Sequence, residues 1–314
     1  MGSSRTIFGG QMMNLRPWIG IRGWTHADQT KNIGLAFGDL EHAPTRMFAI
    51  IVNVDDITLI EGERRARERC GEGNAHARSR PPADDIIGNK GHPGIFVNHP
   101  LILNFVSLEA NEMFIWGRME DVVERYGPLL HGIELGAMWP PVWAVQEFRE
   151  RYPSLRLILR MTRDAVRALG GMDDPATPSR VGARVKEYPV TDVALNLSGP
   201  AEEGGVRFDT ELVRGYLSAI RAAAPDVCLC AAGGFGAKLR TLEPFQRLIT
   251  EFPDLSIAGG AAVTSVANCV DVSSAVALYR NGERIAAERA AAGVAERQFQ
   301  EAKNAYNRVR QSYS

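Results

Sequence analysis

Glu134 stands inside the apolar run "LHGIELG" (130–136), an acid where a buried strand needs none. Burial of a lone carboxyl raises its pKa and suits it to general acid/base work. Two arginines occupy comparable places in other apolar runs, Arg22 in "PWIGIRG" (17–23) and Arg160 in "LRLILRM" (155–161). Either could hold a carboxylate or phosphate through its planar fork. Either could instead pair with Glu134 inside the fold, and the sequence leaves both readings open. Asn53, Asn104, Asn196 and Ser198 lie in or at the ends of further runs. Glu134, Arg22 and Asn196 are therefore the candidate catalytic residues, and Asn53, Asn104, Arg160 and Ser198 the candidate substrate contacts.

Two later runs each end in a double glycine, "DVCLCAAGG" (226–234) and "LSIAGG" (255–260). Glycine lets backbone N–H groups approach an oxyanion closely, so Gly233, Gly234, Gly259 and Gly260 are a candidate phosphate cradle. "DVSS" (271–274) adds Ser273 and Ser274, whose hydroxyls could cap a helix or meet phosphate. The competing reading is that the glycines only make tight turns.

These residues need a frame that brings strand ends together. Eight short apolar runs occur in order: 17–23, 46–54, 100–107, 130–136, 155–161, 192–199, 226–234 and 255–260. Each suits a parallel strand buried on both faces. Amphipathic stretches such as "PVWAVQEFRERYP" and "DTELVRGYLSAIRAAAP" lie between them, and a proline stops each of these two helices just before the next strand. Alternating β and α units with right-handed crossovers predict an α/β fold, a (β/α)8 TIM barrel over 17–275. An open doubly wound sheet is the alternative. In a barrel, chemistry gathers at the C-terminal strand ends, and phosphate commonly binds after strands seven and eight.

Residues 1–16 read as an N-terminal extension, and 62–99, rich in Gly, Pro, Arg and His, as a long inserted loop after the second strand. Residues 276–314 read as a C-terminal helix or helices broken at Gly282 and Gly293. Val294, Phe299, Ala302, Tyr306 and Val309 make a rough stripe there, suited to packing on the barrel wall or to an oligomer contact.

Composition narrows the function classes. Lys+Arg 36 against Asp+Glu 37 gives a net charge of −1, unlike the cationic excess of nucleic-acid binders. No apolar run is long enough to cross a bilayer, and the start carries no secretory pattern. Cys70, Cys228, Cys230 and Cys269 show no metal spacing, and Cys228 and Cys230 fit a buried strand face. A cytoplasmic protein with no cofactor and no metal is the expectation. His26, His92 and His99 lack ligand spacing, and Asp209 in "RFDTELV" reads as a helix cap. "MWPPVW" (138–143) could stack on a planar ligand or cover the rim.

The chain resembles phosphoribosylanthranilate isomerases, small barrel enzymes. The resemblance rests on "WIGIRGWTHADQ", "EDVVERYGPLLHGIELG", "ALNLSGPAEEGGVRFDT", "AGG" and "VDVSS", spread over most of 17–275. It implies a barrel with phosphate-binding segments near its end. The family's cysteine general base on strand one and aspartate general acid on strand six are matched here by Arg22 and Asn196. Neither can exchange a proton under ordinary conditions, so that isomerisation itself is not expected. "IAGG" and "VDVSS" are also too close for a full helix between them. The expected function is an isomerase- or lyase-type enzyme acting on a small phosphorylated metabolite. The alternative is a non-catalytic binding or interaction barrel that has lost the acid/base pair.

Overall fold

A computed structural model describes residues 5–8, 11–14, 16–22, 45–53, 101–105, 129–136, 141–197, 208–260 and 270–312, with isolated positions between them. The insertion 62–99, Ser198, Trp139, Cys70, Cys269 and the three loop histidines lie outside the described residues. The chain opens with a two-stranded antiparallel hairpin, β1 (Arg5–Phe8) and β2 (Gln11–Asn14). The sequence reading treated this part as a plain extension. Its turn signal is the Gly-Gly between the two strands, a common hairpin connection.

Eight parallel strands then close into a barrel: β3 (Trp18–Arg22), β4 (Met47–Asn53), β5 (Leu101–Phe105), β6 (Leu130–Leu135), β7 (Arg156–Thr162), β8 (Asp192–Asn196), β9 (Cys228–Ala232) and β10 (Ser256–Gly259). Each falls within one of the eight apolar runs, give or take a residue. The sheet closes where β10 pairs with β3, Ile257 opposite Ile19. The open-sheet alternative is thereby excluded.

Strand alternation sorts the side chains into two cores. Ile19, Ile133, Leu159, Val193 and Leu229 face out against the helices. Trp18, Ile51, Ile102, Ile158, Ala194 and Cys230 fill the barrel interior. Gly20 is needed there, because a Cβ would lie 2.5 Å from the Trp18 ring and 2.6 Å from Ile51. Cys228 and Cys230 share the inward face, as their spacing suggested. Burial pushes the Cys228 thiol up to about 12, and Cys230 well above its ordinary value, the Glu134 charge adding to burial there.

The described helices are α1 (Val142–Arg151), α2 (Arg163–Ala168), α3 (Thr177–Lys186), α4 (Thr210–Ala223), α5 (Leu239–Leu248) and α6 (Val272–Ser312). α4 shows why they form. Asp209 accepts the backbone N–H groups of Glu211 and Leu212 at 3.0 Å, and Val213, Tyr216, Leu217 and Ile220 bury one face at helical spacing. α1 and α4 each end two residues before a proline. The expected breaks in the C-terminal segment do not occur: α6 runs unbroken for 41 residues. Gly282 instead gives close approach, since a Cβ there would lie 2.9 Å from Ile19. Among the described residues, no helix is long and apolar enough to cross a membrane.

Candidate functional site at the barrel mouth

The C-terminal strand ends bring most of the predicted residues onto one rim. Arg22 closes β3, Glu134 is the penultimate residue of β6, Arg160 lies two residues from the end of β7, and Asn196 closes β8. All four share the inward parity of their strands. Asn53, Asn104 and Glu134 form one register row across β4, β5 and β6, and Asn196 pairs with Thr162 at the end of β7. Thr162 was missed in the sequence. It sits on the same inward parity and caps α2, accepting the Ala165 N–H at 3.2 Å.

Glu134 is fully buried, whereas the Arg22 and Arg160 side chains keep 16% and 20% exposure and so reach the mouth. Arg22 Nη2 donates to Glu134 Oε1 at 2.6 Å and to Oε2 at 2.5 Å. Arg160 Nε lies 3.7 Å from Oε1, an ion-pair distance rather than a hydrogen bond. Glu134 is thus half of an ion pair and not a lone buried acid. Among the described residues, two guanidiniums meet one carboxylate here. Arg22 Nη1 is buried and has no hydrogen-bond partner among the described residues. A buried donor without a partner is costly, and an anionic or carbonyl ligand at the mouth would satisfy it.

The glycines divide by role. Gly233 (φ +94°) and Gly234 (φ +74°) hold left-handed backbone after β9, which explains why glycine is needed there. The Gly233 N–H is committed to Ala258 O at 3.1 Å. Gly259 is demanded by packing, because a Cβ would lie 2.5 Å from Leu278 and 2.9 Å from the Phe235 carbonyl. Gly260 is different: the nearest group to a Cβ there is Arg22 Cβ at 3.8 Å. Among the described residues it borders the arginine of the site.

Ser273 and Ser274 do not present free hydroxyls. Both donate to Asp271, at 2.8 Å and 2.7 Å, and Asp271 also accepts the Ser273 N–H at 3.0 Å. The Ser274 and Ser273 hydroxyls hold the Asp271 carboxyl below its usual range. A carboxylate therefore fills the anion place at the start of α6. Trp143 is exposed on α1. Among the described residues, no group of three His, Cys, Asp or Glu is arranged to hold a metal.

No family model and no curated sequence matches the chain. Among solved structures, the phosphoribosyl anthranilate isomerase of Thermococcus kodakaraensis superposes with a TM-score of 0.51 at 14% identity, over 84% of this chain and 98% of that one. The likeness is one of fold. Tryptophan synthase from M. tuberculosis is also similar (TM-score 0.48, 14% identity, 87% of this chain and 92% of that one). So is the type I 3-dehydroquinate dehydratase of Clostridium difficile (TM-score 0.45, 11% identity, 89% and 98%).

A concavity of about 940 Å³ lies under the opposite end of the barrel and is lined by Arg16, Arg46, Arg221, Arg289 and Arg297 among others. The fold already uses several of these arginines. Arg46 donates to Leu255 O at 3.2 Å and Pro253 O at 2.7 Å, and Arg221 holds Asp254 at 2.9 Å. Arg289 pairs with Glu296 at 3.3 Å.

Proposed function

We propose that the protein is a small-molecule enzyme of isomerase or lyase type, acting on a phosphorylated, sugar-phosphate-like metabolite at the C-terminal mouth of the barrel. The Arg22–Glu134–Arg160 cluster carries this reading, with a buried Arg22 Nη1 that has no partner among the described residues. A substrate oxyanion entering the mouth competes with Glu134 for Arg22. Glu134, loosened from one partner, then accepts or returns a proton while Arg22 and Arg160 stabilise the developing negative charge. Asn196, Asn53, Asn104 and Ser198 supply neutral hydrogen bonds to substrate hydroxyls. The phosphate sits on the glycine-ended loops, through Gly234 and Gly260 first, with Gly233 and Gly259 shaping the seat.

Phosphoribosylanthranilate isomerisation itself is not the reaction proposed. On the resemblance above, Arg22 and Asn196 stand where that chemistry has its base and acid, and neither transfers a proton. A second reading, a non-catalytic binding barrel, is favoured by one observation: both Glu134 oxygens are already engaged by Arg22.

The test is incubation with phosphorylated aldoses, ketoses and hydroxy acids in D2O, followed by proton NMR. The enzyme reading expects one compound to lose a C–H signal or to convert, and expects Glu134→Gln to abolish this while the protein stays folded. Ligand binding without exchange or conversion of any compound would overturn the enzyme reading in favour of the binding one.

A further inference from the structure

The 41 residues of α6 divide into a docked half and a projecting half. Ala275, Leu278 and Tyr279 are buried, Tyr279 donates to Arg46 O at 3.0 Å, and Ile285 and Ala286 are the last buried residues of the helix among those described. Beyond them no described residue of α6 is buried. The side that still faces the barrel borders the lower concavity through Ala290, Gly293, Arg297 and Gln300.

The opposite side has an apolar seam. Ala292, Ala295, Phe299 and Ala302 are all exposed, Phe299 at 71%. Their spacing is three, four, three, and the sequence continues it through Tyr306 and Val309, both within the helix. That is the alternation of a two-stranded coiled-coil seam. At about 100° per residue the seam lies roughly 160° around the helix from the barrel-facing side, away from the described residues of its own barrel.

We infer that this seam pairs with the same seam of a second copy of the chain, antiparallel. The register that seats Phe299 on the partner's Ala302 also sets Ala295 against position 306 and Ala292 against position 309, which are Tyr and Val in the sequence. Every layer then joins a large residue to an alanine. Glu296, which in the single chain pairs with Arg289, falls beside the partner's Lys303. A parallel pair would stack Phe299 on its own copy, leave alanine on alanine in the layers either side, and bring no opposite charges together, since Gln298, Ala305 and Ser312 occupy the flanking positions.

The test is light scattering after size exclusion over roughly 5–100 μM, with a disulfide experiment beside it. Wild type is expected to approach twice 34.4 kDa as concentration rises. Phe299→Lys is expected to stay at the single-chain mass and still melt cooperatively, because the exposed residue is not part of the barrel core. In a Cys70→Ser/Cys269→Ser background, a mixture of Phe299→Cys and Ala302→Cys should cross-link far more than either alone. A wild type that stays single at every concentration overturns the proposal. So does a dimer that survives Phe299→Lys, or cross-linking of Phe299→Cys to itself as strong as in the mixture.

Discussion

The two ends of the barrel each hold a buried acid against an arginine, and they are built to different standards. At the N-terminal end, Asp192 accepts Arg156 Nε at 3.1 Å and Nη2 at 2.5 Å, and takes the Trp18 indole N–H at 3.1 Å. Arg156 Nη1 goes on to Arg16 O at 2.6 Å, and the Trp18 N–H to Ser256 Oγ at 3.0 Å. Burial pulls the Arg156 pKa down, and pairing with Asp192 more than reverses this. At the mouth, Arg22 Nη2 serves both Glu134 oxygens and Nη1 has no partner among the described residues. A fully satisfied buried network fixes the strand starts. A partly satisfied one keeps a donor in reserve, and in a barrel the mouth is where a ligand would use it.

The largest expected effect lies at the N-terminal end. Asp192→Ala leaves Arg156 charged and buried without a counter-ion, so unfolding in urea should show a loss of about 3–5 kcal/mol. A loss under 1 kcal/mol would break the comparison.

Replacing each pair with apolar residues sharpens it. Arg22→Met/Glu134→Leu removes both charges from a site with few other bonds, and should be near neutral or stabilise by roughly 1–4 kcal/mol. Arg156→Met/Asp192→Leu strands the Trp18 indole N–H and should destabilise by at least about 1–3 kcal/mol. Equal responses at the two ends would show that they are not built differently.

Between the ends the barrel interior is filled by buried side chains, and both thiols lie among them. Burial raises Cys228 to about 12 from an ordinary 9.0, so the folded chain holds a proton that the unfolded chain releases. Its contribution to stability is present below pH 9.0 and fades as pH rises through about 12. In the Cys70→Ser/Cys269→Ser background, a thiol reagent at pH 8 should label Cys228 and Cys230 only once denaturant unfolds the chain. Prompt labelling of the native protein would contradict a sealed interior.

The smallest effect concerns the start of α6. Asp271→Ala should cost about 1 kcal/mol through loss of the cap. It should also tighten rather than weaken any phosphate binding nearby, because it removes a negative charge.

The strands were legible in the sequence because each is buried on both faces and reads as an uninterrupted apolar run. Helix α4 was legible through Asp209 and its stripe, both local signals. The mouth was legible only as a set of residue types. Whether Glu134 was free or paired depended on Arg22, 112 positions away, and no local pattern records that distance. Gly282 misled for the same reason: its partner is Ile19 on β3, so a residue that looks like a helix breaker in isolation serves as a packing notch. The Asp192–Arg156–Trp18 network has residues at the starts of three strands, and only closure of the barrel brings them together.

The central claim, that the mouth is an anion site, is tested most directly by thermal denaturation with inorganic phosphate, ribose 5-phosphate and related sugar phosphates. It should be run on the wild type and on the Arg22→Met/Glu134→Leu variant. A ligand at about 100 times its Kd adds roughly 2.7 kcal/mol to the stability of the form it binds. The account predicts a raised melting temperature for the wild type with at least one phosphorylated compound, and none for the folded double variant. No rise with any compound, or the same rise in both proteins, would contradict it.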